Sequence, residues 1–186
     1  MKRIFSVLFS LVFVLTLSAQ RHMEFMGLPI DGKAKNFISE LEKKGFEHDK
    51  TFNYFENLQR LYGTFGGNLC KLHVLTINKD VSKVTVAYLP SKSWQKIYAF
   101  YKTLQAEYTL KYVQPESYEV GPNVKSGNYD DVFKNVKEGD SAYASFYQTD
   151  LGMIGVRIKS DDGQSGYVEV VYEDQLNFYD QMREDY

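Results

Sequence analysis

Two hydrophobic periods alternate along the chain. Ala34, Phe37, Ile38 and Leu41 recur at helical spacing between Asp31, which suits an N-cap, and Gly45, which suits the left-handed position after a helix end. Trp94, Ile97, Tyr98, Tyr101, Gln105 and Tyr108 form a second stripe after Pro90, Ser91 and Ser93, apolar except for one Gln. Around these helices lie β-branched and aromatic runs bounded by turn residues, at 59–65, 69–78, 83–89, 141–148, 151–159 and 166–172. The short links Gly66-Gly67-Asn68 and Asn78-Lys79-Asp80 predict antiparallel hairpins, since so few residues cannot carry a parallel crossover. In the tail, 175–183, Leu176, Tyr179 and Met182 share one helical face and predict a short closing helix.

The pattern also repeats. Leu61-Tyr62-Gly63-Thr64-Phe65 matches Ala142-Tyr143-Ala144-Ser145-Phe146 at an offset of 81, which also aligns Leu72 with Met153, Leu75 with Val156 and Ile77 with Ile158. After a turn three residues longer in the second copy, Val84-Thr85-Val86-Ala87-Tyr88 matches Val168-Glu169-Val170-Val171-Tyr172. Ahead of the first helix, Met23 to Pro29 resembles Val84 to Pro90 ahead of the second. The expected architecture is α+β: two tandem helix-plus-antiparallel-meander repeats, with the helices packed on one face of a curved antiparallel sheet. Residues 20–90 form the first unit (strand, helix, meander) and 91–186 the second (helix, meander, short C-terminal helix).

Comparing the copies assigns the sheet's two faces. His73/Ile154, Leu75/Val156, Ile77/Ile158, Val84/Val168, Val86/Val170 and Tyr88/Tyr172 are mostly apolar, and are expected to face the helices. Leu72/Met153, Val74/Gly155, Thr76/Arg157, Thr85/Glu169 and Ala87/Val171 are mixed and are expected on the open face. With Phe65 and Phe146 in the core, Tyr62, Thr64, Tyr143, Ser145 and Tyr147 join that open face. A sheet face rich in Tyr, Met and Arg has the composition of a recognition surface.

The copies differ most after the second helix. Phe46 to Tyr62 spans 16 positions and Tyr108 to Tyr143 spans 35, about 19 more. This 114–139 insertion carries Pro115, Gly121-Pro122-Asn123 and Gly127-Asn128, with Tyr118 and Tyr129 among them, and 129–136 is long enough for a helical turn or two. Long loops in compact domains are often functional.

Composition and charge narrow the classes. With 186 residues, 44% hydrophobic, and 22 Lys+Arg against 24 Asp+Glu, the chain is neither disordered nor a coiled coil. Its net charge of -2 gives no electrostatic case for nucleic acid. Lys2-Arg3, the uncharged run Ile4 to Leu17, and the small residue Ala19 read as a secretory signal over 1–19, cleaved after Ala19. The expected address is the periplasm or exterior of a Gram-negative cell, with no membrane span left in the mature chain. The single cysteine, Cys70, excludes an internal disulfide and is too deep in the chain for lipid attachment at the cleavage point.

Catalytic chemistry is thinly represented. Cys70 and His73 are three apart in a strand and so point to opposite faces, which rules out a dyad between them. No histidines are paired at metal-ligand spacing, and Asp161-Asp162-Gly163 and the acids around 130–140 lack the alternating oxygens of a calcium loop. Gly63, Gly66 and Gly67 lie between strands, without the helix N-terminus a phosphate loop needs. No cofactor, no metal and no catalytic residue is expected.

Two tandem helix-plus-meander units in an exported chain of this length resemble the β-lactamase inhibitor protein family. The run Gly27-Leu28-Pro29-Ile30-Asp31-Gly32 before an amphipathic helix also resembles uncharacterised secreted proteins of Gram-negative gut bacteria. The first resemblance implies two units joined in one curved sheet, whose concave face and a protruding loop grip a protein target. This chain lacks the cysteines that staple the units of that family, and inhibition of a β-lactamase is not implied. The expected function is a secreted, non-catalytic binding module that recognises a protein or envelope component. Its expected contacts are Tyr62, Tyr143, Tyr147, Met153 and Arg157 on the open face and Tyr118 and Tyr129 in the 114–139 loop. The alternatives are an envelope assembly or structural factor, or a carbohydrate-binding protein or hydrolase using aromatic side chains.

Overall fold

The computed structural model describes residues 21–52, 55–112, 114–121 and 131–177. The fold is α+β and dominated by antiparallel sheet. Strands β1 (Glu24–Phe25) and β2 (Leu28–Pro29) form a small hairpin. One eight-stranded sheet is built from β3 (Glu47–His48), β4 (Leu58–Phe65), β5 (Asn68–Ile77), β6 (Asp80–Tyr88), β7 (Glu116–Val120), β8 (Ala142–Thr149), β9 (Gly152–Lys159) and β10 (Tyr167–Asp174). Its order is β3-β4-β5-β6-β10-β9-β8-β7. Strands before residue 90 therefore fill one half, those after it fill the other in reverse order, and β6 pairs with β10 where the halves meet.

Helices α1 (Ala34–Lys43), α2 (Trp94–Lys111) and α3 (Val132–Glu138) bury their apolar residues with one face of this sheet. Phe37, Ile38 and Leu41 of α1, and Trp94, Ile97, Tyr101, Leu104 and Tyr108 of α2, join one core with Leu72, Val86, Val156 and Val170. Gln105, the polar member of the second stripe, donates from its side chain to Ser145 Oγ at 2.7 Å, so the stripe remains satisfied where it meets the sheet. Residues 175–177 are helical, at the place expected for a closing helix; the rest of that segment lies outside the described residues.

Local signals explain most boundaries. Gly66-Gly67 and Asn78-Lys79 form two-residue turns with positive φ at both positions, matching the twist of the strands they join. Ser93 caps α2 by accepting from Lys96 N, and Gly45 follows α1 with φ +94°. Asp31 does not cap α1: Lys33 holds that position, and its side chain makes no capping bond. The cause is sheet-like pairing that keeps the chain extended longer, with Val81 N donating to Gly32 O, Ala34 N to Lys79 O, and Lys33 bridging Asp80.

The lead-in segment is tied to the end of β10. The fully buried Asp174 carboxylate accepts from Met23 N at 2.6 Å, from Leu176 N at 3.0 Å and from Asn177 N at 3.1 Å, and faces the His22 ring at 3.2 Å. Asn177 donates in turn to Ile30 O and Val81 O.

The ladders correct the face assignment. Leu61 pairs with Leu72 and Leu72 with Val86, while Ser145 pairs with Val156 and Val156 with Val170. Corresponding strands thus lie 84 positions apart throughout, and the 81 read from the motif match is three positions out along β4 and β5. An odd slip turns every side chain to the other side of a sheet. Leu72 and Val74 therefore lie in the core, whereas His73, Leu75 and Ile77 stand on the open face. Similarly Tyr143, Ser145 and Tyr147 face the helices, and Phe146 is on the open face.

The single lead-in strand expected at 23–29 is instead the β1–β2 hairpin, apart from the large sheet, and two strands of the large sheet escaped the sequence reading. β3 has two residues, too few for a period, and β7 is exposed at every position, so neither has an apolar alternation to betray it. Within the insertion, α3 falls close to the helical turns expected at 129–136.

Candidate functional site

The sheet face away from the helices carries no packed helix among the described residues, and its residues line up in rows. One row crosses all eight strands: Glu47, Tyr62, Lys71, Ala87, Glu169, Arg157, Ala144 and Tyr118. The next comprises Arg60, His73, Thr85, Val171, Gly155, Phe146 and Glu116. A third comprises Leu58, Leu75, Lys83, Glu173, Met153 and Gln148. Small residues and the ion pairs Arg157–Glu169 and Lys83–Glu173 occupy the middle, and rings gather toward both ends.

At the β3–β4 end, Arg60 is the organising group. Its Nε and Nη2 donate to Asp49 Oδ2 at 2.9 and 2.6 Å, the Phe52 ring covers its guanidinium at 4.2 Å, and Tyr62 lies at 5.5 Å. Hydrogen bonds from Thr51 and Arg60 hold the Asp49 carboxyl well below the usual carboxylate range. Beside this stack, His73 is pushed below its ordinary pKa, first by burial and then by the Arg60 and Lys71 charges. At the other end the Phe146 ring lies across Gly155, 3.2 Å from where a Cβ would sit, with Tyr118 at 6.2 Å between ring centres.

The structure separates the expected contact residues into two groups. Tyr62, Met153, Arg157 and Tyr118 stand on the open face; Tyr62 and Tyr118 are 40% and 50% exposed, and Arg157 is paired with Glu169. Tyr143 and Tyr147 do not: they are 4% and 1% exposed beneath α2. Tyr143 packs on Trp94 and Tyr98, while the Tyr147 hydroxyl donates to Gln105 O at 2.7 Å. Both are core residues out of a partner's reach, and burial raises both phenols above their ordinary pKa. Tyr129 and the expected signal segment lie outside the described residues. The open-face residues missed from sequence are Phe146, His73 and Arg60, which the correct register would have found.

Two clefts border the sheet. One, of about 200 Å3, lies on the open face between β5 and β6 and the 160–166 loop. The other, about 310 Å3, lies on the helix side, walled by Phe65, Tyr88, Phe100, Tyr108 and Tyr172. Cys70 belongs to the helix side, 3% exposed, with burial pushing its thiol up to about 11, so it is not poised as a nucleophile. Among the described residues no three His, Cys, Asp or Glu side chains are grouped to hold a metal ion. No described helix is long and apolar enough to cross a membrane.

Comparison with protein-family models, with curated proteins and with solved structures gives no match.

Proposed function

We propose that this protein is an exported, non-catalytic binding module that engages a protein of the cell envelope or its surroundings through the open face of the sheet. The observation that carries this reading is the span of that face and the distribution of groups on it. Six strand spacings of about 4.8 Å place Tyr62 and Tyr118 about 29 Å apart, and eight-residue strands run about 26 Å. A folded partner spans these dimensions, meeting the exposed groups at the ends, since Ala87, Ala144, Glu169 and Val171 in the middle are only 7–9% exposed. A small ligand cannot touch both ends of such a surface; a folded partner can. Tyr, Phe and Arg side chains at its ends are the types that carry most interface energy.

The module reads as two tandem units, each a helix followed by a meander, related like the units of the β-lactamase inhibitor protein family. What supports this is the sheet order, which runs through one half and back through the other, and the single shift of 84 positions relating their ladders. The β7 edge, with Tyr118, lies within the 114–139 segment and belongs to the same surface. Export rests on the signal-like segment at 1–19.

The test is capture of partners from envelope and secreted fractions by the purified protein, with variants on each side. A Tyr62→Ala/Phe146→Ala variant is expected to lose the partner, and Leu110→Ala, 91% exposed on α2, to keep it. Retention by the first variant and loss by the second would place recognition on the helix side instead.

A further inference from the structure

Among the described residues, the open-face cleft is a place where the charge pattern of this surface is incomplete. Four cations stand in the three central rows. Arg60 is held by Asp49 at 2.6 Å, Lys83 by Glu173 at 2.6 Å, and Arg157 by Glu169. The Lys71 side chain, half-buried and third along the longest row, has no hydrogen bond or ion pair to any described residue. Next to it the His73 ring, also half-buried, stacks on Phe52 but makes no hydrogen bond among the described residues.

The opposite wall carries two carboxylates, Asp161 and Asp162, both hydrogen-bonded to neutral donors. Asp162 Oδ1 accepts from Gln164 N and Ser165 N, each at 2.7 Å, and its Oδ2 from the Ser165 hydroxyl at 2.9 Å. Asp161 accepts from the Tyr167 hydroxyl at 3.0 Å. The cleft therefore holds an excess of unused donors, on its floor, and what completes it is an acceptor. Negative charge is favoured over a neutral acceptor at His73, where the Arg60 and Lys71 charges outweigh the opposing ones of Glu169 and Asp161. Its volume of about 200 Å3 admits one side chain and lies below the range of about 300 Å3 and above that is usual for small-molecule pockets.

We propose that the cleft receives an Asp or Glu side chain of the protein partner, with the Lys71 ammonium as its counter-ion and the His73 ring N–H as second donor. This rests on the open-face reading above and adds the partner's chemistry to it. The carboxylate enters from outside the sheet, between Lys71 and the 160–166 loop, and Tyr167 closes the far side.

The test uses N-acetyl-glutamate N-methylamide as a probe, titrated into isotope-labelled protein and followed by NMR, with N-acetyl-glutamine N-methylamide as its neutral counterpart. The glutamate probe is expected to shift Lys71 and His73 resonances and to bind at least tenfold more tightly than the glutamine probe. Lys71→Gln is expected to abolish that preference and Lys71→Arg to keep it, with circular dichroism confirming that both variants fold. Equal binding of the two probes, or no shift with either, would overturn the proposal. The captured partner separates this failure from failure of the open-face reading. If Tyr62→Ala/Phe146→Ala loses the partner while Lys71→Gln keeps full affinity, the face stands and the carboxylate site falls. If neither variant weakens capture, the face itself is refuted.

Discussion

Seven residues, 76–82, lie between Leu75 and Lys83 in the first half of the sheet, and seven, 160–166, between the corresponding Lys159 and Tyr167 in the second. They fold differently. In the first half a bulge after Leu75 lets β5 and β6 pair on to Ile77 and Asp80, ending in the tight Asn78-Lys79 turn. That tip bonds to the start of α1. In the second half Ser160 Oγ donates to Ser165 O and accepts from Gly163 N, while Asp162 caps the backbone, so the segment curls into a loop. The loop holds Ser91 ahead of α2 through paired bonds with Gly166 and walls the Lys71 cleft. Equal length with unequal hydrogen-bonding side chains is enough to turn one tip into scaffold and the other into the rim of a site. The strands make the two halves alike, and the turns make them different.

The first way to break this account is to compare neighbours on opposite faces. Tyr147→Ala empties a fully buried site and is expected to cost about 4 kcal/mol, whereas Phe146→Ala, on the open face, is expected to cost about 1 kcal/mol. Urea denaturation measures both, and a larger loss for Phe146→Ala would invert the faces.

A second comparison sets Gly152 against Asn68, which open corresponding strands. Gly152 has φ +148°, and a Cβ there would stand 2.1 Å from Glu173 O, so Gly152→Ala is expected to cost about 3 kcal/mol. Asn68→Ala is expected to stay within about 0.5 kcal/mol in the same assay, since that side chain bonds only to Gly66 O at an exposed turn. Equal losses at the two positions would remove the claimed difference in strain.

Cys70 offers a smaller, chemical readout of the helix side. With its thiol pushed up to about 11 from 9.0, the thiolate fraction at pH 8 falls about 100-fold. Alkylation by iodoacetamide is expected to be slower than in the urea-unfolded chain by at least that factor. Comparable rates would place Cys70 in solvent.

The smallest effect sharpens the comparison of the tips. Backbone and Ser165 hydrogen bonds hold Asp162 down to about 2, so its contribution to loop order is present above the ordinary 3.8 and is lost as pH falls through about 2. The Gln164 and Ser165 amide resonances are expected to titrate with a midpoint near 2. A midpoint near 4 would mean that the cap is not formed.

How much of this was legible follows from the same comparison. Both long helices were visible as periodic stripes, and the six long strands as β-branched and aromatic runs bounded by turn residues. The face of β5 and β8 was not, because Leu61-Tyr62-Gly63-Thr64-Phe65 resembles Ala142 to Phe146 closely enough to hide that its true counterpart begins at Ser145; on β4 the expected face holds, with Tyr62 on the open side and Phe65 toward the helices. Tyr143 and Tyr147 look like surface residues in a strand rich in polar groups. Only the packing of Trp94, Tyr98 and Gln105 over them shows that their hydroxyls are the polar part of a core. Phe146, read as core from its hydrophobicity, lies over Gly155, where the missing side chain leaves a shallow seat for its ring. The Lys71 cleft was out of reach of sequence altogether, since its walls come from residues about 90 positions apart.

The claim on which the account turns is that partners meet the sheet on the face without helices. Photo-crosslinking tests it most directly, with a photoreactive phenylalanine analogue placed singly at Tyr62, Phe146 or Leu110 in the protein expressed in its native cell. Adducts with the same partner from positions 62 and 146, and none from 110, are the result predicted here. Adducts from position 110 with none from 62 or 146 would contradict it and move recognition to the helices.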